Sequence, residues 1–101
     1  MINMPFGLSD KNYSLIKDIF KSYSNIEKVI IFGSRAMGTE KNGSDIDLAL
    51  KGKDISLEEI LSISNKLDNL PLAYEYDVID YATIDNSAFK DHIDKHGIVF
   101  S

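Results

Sequence analysis

Residues 30–51 read IIFGSRAMGTEKNGSDIDLALK. An apolar run stops at a Gly33-Ser34 pair, a loop bounded by Gly38 and Gly43 follows, and a second apolar run opens with Asp45 and Asp47 at alternate positions. Apolar residues over 28–32 predict a short strand buried on both faces, ended by Gly33. The alternation that follows predicts another strand. Ile46, Leu48 and Leu50 face one way, and Asp45, Asp47 and Ala49 the other. The connection is too short for a helical crossover, so the sheet is expected to be mixed rather than purely parallel.

Alternate strand residues lie about 6 to 7 Å apart on one face. Two carboxylates at roughly 6 Å repel by about 3 kcal/mol at an effective dielectric near 20. Either that face is open to water or a cation sits between the acids. Asp77, inside another apolar strand, is placed to approach the same face. Glu75 and Asp80 are rivals, Glu75 sharing the Asp77 face by alternation and Asp80 not. Three carboxylates in a chain without cysteine favour a hard, oxygen-seeking ion, Mg²⁺ or Mn²⁺, over zinc. The Gly33-Ser34 turn can aim backbone N–H groups and a hydroxyl at a phosphate, and Arg35 is positioned to add charge.

Outward from this centre, residues 9–23 predict an amphipathic helix capped by Ser9, with Tyr13, Ile16, Ile19, Phe20 and Tyr23 as its stripe. Residues 56–69 predict a second, with a capping box at Ser56 and Glu59 and a stripe of Leu57, Ile60, Leu61, Ser64 and Leu67. The run YEYDVIDYATI predicts a third strand, and residues 86–97 a helix capped by Asn86 or Ser87 with Gly97 as a left-handed stop. Ile98 to Phe100 is placed to add a last short strand. The segment KGKD, 51–54, reads as a solvated loop.

The chain has 101 residues, enough for one core, and a formal charge of −5, which argues against a phosphate-backbone binder acting through its own cations. The absence of cysteine, of a signal-like start and of a membrane-length apolar run makes a cytoplasmic protein the expectation. His92 and His96, four apart, have chelating spacing but no third ligand, and read as solvated residues near a helix end. Tyr74, Tyr76 and Tyr81 are able to stack on a base or line a partner interface, with core filling the expectation for at least two of them.

Taken whole, GSRAMGTEKNGSDIDLAL has the spacing G-S-x10-D-x-D and resembles the signature of the polymerase-β-like nucleotidyltransferase superfamily. The order of elements resembles its minimal single-domain branch, over residues 1–101. The resemblance implies an α+β fold, a small mixed sheet with helices packed mainly on one face. It implies Gly33, Ser34, Arg35 and Ser44 as nucleotide-binding residues, and Asp45, Asp47 and Asp77 as catalytic ligands of two divalent ions, Mg²⁺ or Mn²⁺. The implied reaction moves a nucleoside monophosphate, AMP from ATP as the leading choice, onto a hydroxyl. Met37 stands where family motifs often carry a second basic residue. Minimal members pair with a small helical protein of the HEPN or substrate-binding type, as in type VII-like toxin–antitoxin modules. A non-catalytic antitoxin that neutralises its partner by contact is the alternative. A homodimer is compatible with the apolar helix faces, and neither membrane nor direct nucleic-acid binding is expected.

Overall fold

The computed structural model describes residues 5–41 and 43–101. Residues 1–4, the start of the segment read as lacking a secretory signal, lie outside it. After a 3-10 turn at Pro5–Gly7, the chain runs through α1 (Asp10–Phe20), β1 (Ile26–Phe32), α2 (Ser34–Met37), β2 (Ile46–Gly52), α3 (Leu57–Asp68) and β3 (Tyr76–Asp80). A second 3-10 turn at Tyr81–Thr83 leads to α4 (Ser87–His96) and β4 (Ile98–Val99). No helix among the described residues is long and apolar enough to cross a membrane.

The sheet has the order β3-β2-β1-β4. The short loop makes β1 and β2 antiparallel, with Phe32 opposite Asp47, whereas the crossover through α3 makes β2 and β3 parallel. β4 returns antiparallel to β1 at the other edge. The sheet is therefore mixed, as the loop length required.

The main core lies on the face covered by α1 and α3. Val29, Ile31, Ile46, Leu48 and Leu50 pack there against Ile16, Phe20, Ile63 and Leu67. Ser9 caps α1 by accepting from the Asn12 N–H at 3.2 Å, and Ser56 and Glu59 form the complete capping box of α3. The α3 stripe agrees with the expected one at Ile60 and Leu67, which face the core, and differs elsewhere. Leu57 and Leu61 are exposed, and Ile63, between two serines, is buried in their stead. The Tyr23 and Ser62 hydroxyls meet at 2.8 Å between α1 and α3.

A smaller cluster of Ile30, Phe32, Ala49 and Ile93 lies on the opposite face, partly roofed by α4. Gly97 is not a left-handed stop, since its φ is −70°. Its missing side chain answers a different need: a Cβ there would collide with the Ile93 carbonyl and with Ile30 Cγ2. Two further expectations shift. Residues 51 and 52 belong to β2, and the Lys51 ammonium sits 4.3 Å over the Tyr81 ring. β3 ends at Asp80 because that side chain accepts from the Ala82 N–H at 3.1 Å and turns the chain into a 3-10 helix.

Candidate active site

Four elements converge at one end of the sheet. Asp47 and Asp77 are register partners on β2 and β3, so their side chains project from the same face, the face that Phe32 also uses. Asp45 precedes β2 by one residue and is exposed, as is Asp77, while Asp47 is half-buried. Burial raises the Asp47 carboxyl above the ordinary carboxylate range, and the negative charges of Asp77 and then Asp45 raise it further. The expected trio thus shares one electrostatic neighbourhood. No three carboxylate or imidazole groups among the described residues are gathered into a closed ligand set. The donor set of Asp45, Asp47 and Asp77 is the all-oxygen one that suits Mg²⁺ or Mn²⁺.

Of the rival acids, Glu75 lies at the start of the β2–β3 ladder, its carbonyl accepting from the Ile46 N–H at 2.9 Å. Asp80 caps the 3-10 turn after β3, and Glu75 is exposed just ahead of that strand.

Gly33 closes this corner. Its φ of 77° and ψ of −155° belong to a region that residues with a Cβ avoid, and a Cβ built there would lie 2.5 Å from Asp47 Oδ2. Glycine lets the backbone turn directly against the carboxylate. The turn then winds into α2, four residues that sequence periodicity is too short to reveal. The first N–H groups of such a turn have no partners within it. Ser34 begins it, its carbonyl accepting from the Thr39 N–H at 2.9 Å.

Arg35 is turned inward. Its side chain is only 4% exposed, and its donors are used inward: Nε and Nη2 to the Ser44 carbonyl at 3.1 and 3.0 Å, Nη1 to the Phe6 carbonyl at 2.9 Å. It also stacks 5.0 Å from the centroid of Tyr74. Arg35 therefore braces the loop through these inward contacts. The peptide it grips joins Ser44 to Asp45, so the brace fixes where β2 and its carboxylates begin. The Ser44 hydroxyl is likewise engaged within the loop, accepting from the Lys41 N–H at 2.8 Å.

Clefts of about 270 and 250 Å³ lie elsewhere, beside Phe20, Tyr23 and Val29 and beside Ile55, Ile60 and Ile79 respectively. The His92 and His96 rings stand 5.1 Å apart on α4 without a third ligand among the described residues.

The profile of the family described as Polymerase beta, Nucleotidyltransferase matches residues 14–101. The chain belongs to the polymerase beta nucleotidyltransferase family. No curated protein matches the sequence. Among solved structures, a toxin–antitoxin crystal structure with AMP-PNP is 21% identical with a TM-score of 0.75, the alignment covering 89% of this chain and 73% of that one. The toxin–antitoxin MntA-HepT is 17% identical at a TM-score of 0.69, covering 92% and 72%. A putative nucleotidyltransferase from Sulfolobus solfataricus is 24% identical at 0.52, covering 86% and 73%. At these identities the likeness establishes the nucleotidyltransferase fold.

Proposed function

We propose that the chain transfers AMP from ATP to a hydroxyl of a helical partner protein, as the antitoxin-side enzyme of a two-gene module. The observation that carries this reading is the register pairing of Asp47 with Asp77 beside the Gly33 turn. Membership in the nucleotidyltransferase family supports the reaction class, and the similarity to toxin–antitoxin complexes, one of them with AMP-PNP, supports the partner and the donor.

Asp45, Asp47 and Asp77 would hold Mg²⁺, which when bound offsets phosphate charge and lowers the barrier to displacement at phosphorus. The protein's own groups do the rest. Backbone N–H groups from Ser34 onward receive the outer phosphates, and Gly33 keeps that backbone close to Asp47. Asp77, exposed on the β3 side, orients the acceptor hydroxyl and accepts its proton. The acceptor oxygen bonds to the α-phosphorus, the bond from that phosphorus to the bridging oxygen breaks, and pyrophosphate leaves. Arg35 acts through the loop, holding the Ser44–Asp45 peptide in place.

The test is transfer of α-labelled ATP onto the helical product of the neighbouring reading frame. Label should appear only with Mg²⁺ or Mn²⁺ and disappear in Asp47→Asn. Absence of transfer with all four nucleoside triphosphates would refute the reading. Neutralisation that survives Asp45→Ala/Asp47→Ala would point to a module acting by contact alone.

A further inference from the structure

Among the described residues, the large apolar side chains left exposed are Met37, Leu57, Leu61, Phe89, Ile98 and Val99. Phe89 is the one aromatic in that set, at 37% exposure. Its position is fixed from two sides. The Asn86 side chain accepts from the Phe89 N–H at 3.1 Å, setting the residue in the first turn of α4. Its ring then meets Phe32 edge-on, with centroids 5.6 Å apart and planes at 75°.

Phe32 is the register partner of Asp47 and shares its face. Cross-strand partners have Cβ atoms about 4.5 to 5.5 Å apart. One aromatic side chain therefore separates the exposed Phe89 ring from the central carboxylate. Closure of the smaller cluster falls to Ile93, 2% exposed one turn later, and Phe89 stays partly open to solvent. A ring with two side-chain torsions, held in T-shaped contact with a buried neighbour, is a rigid stacking surface.

The side on which it stands selects the ligand. β1 leads into the Gly33-Ser34 turn, where the triphosphate is read to sit, and β3 carries Asp77, which is read to address the acceptor. Phe89 rests on β1. We infer that Phe89 is the wall against which the base of the donor nucleotide stacks. The inference rests on the proposed nucleotide site and adds to it a contact made by the base alone.

Two probes separate these claims. Mg²⁺·ATP carries a base, and Mg²⁺·tripolyphosphate presents phosphates without one. Their affinities for the full chain are measured calorimetrically in the wild type, Phe89→Leu and Phe89→Trp. Leucine keeps apolar cover over Phe32 and removes the ring. Phe89→Leu should bind ATP about five- to a hundredfold more weakly with tripolyphosphate unchanged, and Phe89→Trp should retain ATP affinity. Equal loss of both probes, the signature of a merely structural residue, overturns the inference, as does no loss of either. A wild-type chain that binds both leaves the nucleotide site standing in those cases; one that binds neither removes the site and the stacking role together.

Discussion

In metal-free buffer, replacing Asp47 by Asn should make the domain more stable, although it removes a residue from the candidate active site. Asp47 faces Asp77 directly across a parallel ladder and Asp45 two positions along the chain. Adjacent strands lie about 4.8 Å apart, and alternate residues about 6.6 Å. Both neighbours are exposed, so the solvent dielectric governs and the two repulsions come to about 0.8 and 0.6 kcal/mol. Asn keeps the shape and removes the charge. A gain of about 1 kcal/mol raises the melting temperature of a domain this size by roughly 4 to 8 °C.

The sign reverses with ligand. Mg²⁺·ATP at a hundred times its dissociation constant adds about 2.7 kcal/mol to the wild type. The variant, lacking a ligand to the ion, should lose that increment. The two melting curves, run in EDTA and then in Mg²⁺·ATP, should exchange order. pH gives an independent check. The folded pKa of Asp47 is raised, so between the unfolded value of 3.8 and the folded value the native state binds more protons. Wild-type stability in EDTA therefore carries this penalty least below 3.8 and loses ground as pH rises through the window. Asp47→Asn has no such component. An Asn variant less stable than wild type in EDTA, or one keeping the full ligand-induced rise, would refute the reasoning.

Gly33→Ala should abolish nucleotidyl transfer and lower stability by about 1 to 3 kcal/mol, measured by labelled transfer and urea melts, because a methyl group meets Asp47 Oδ2 in a backbone region alanine resists. Arg35→Ala strands the Ser44 and Phe6 carbonyls and should cost about 2 to 4 kcal/mol by chemical denaturation, with Arg35→Lys intermediate because one ammonium cannot replace the fork. Tyr76→Phe should be neutral or stabilising by up to about 1 kcal/mol in thermal melts. Its hydroxyl is buried without a hydrogen-bond partner among the described residues, and burial first, then the charge of Tyr74, pushes its pKa up to about 12.

Much of the frame was legible because it follows local rules. Ser9, Ser56, Glu59 and Asn86 cap the helices assigned to them, and the Asp45/Asp47 alternation correctly placed Ile46, Leu48 and Leu50 in the core. What stayed hidden depended on tertiary context. α3 carries two overlapping apolar stripes, through Leu57 and Leu61 or through Ile63 and Leu67, and only packing against α1 and the sheet selects the second. α2 spans too few residues for a periodic signal. Arg35 beside a glycine-serine turn suggests a phosphate ligand, and its hold on the Phe6 and Ser44 carbonyls exists only once the chain has folded. Gly97 followed a helix, which suggested a stop signal, whereas Ile30 from a distant strand sets its need for hydrogen.

The two ladders of β2 differ in what must happen before they form. Pairing with β1 closes a shorter connection and brings Gly33 against Asp47; pairing with β3 closes a longer one, through α3. Assembly in that order would bring Gly33 and Asp47 together before Asp77 arrives. A chain caught midway has Gly33 beside Asp47 but does not yet have Asp77 in place. Its topology thus leaves Asp77 away from Asp47 until the sheet is complete.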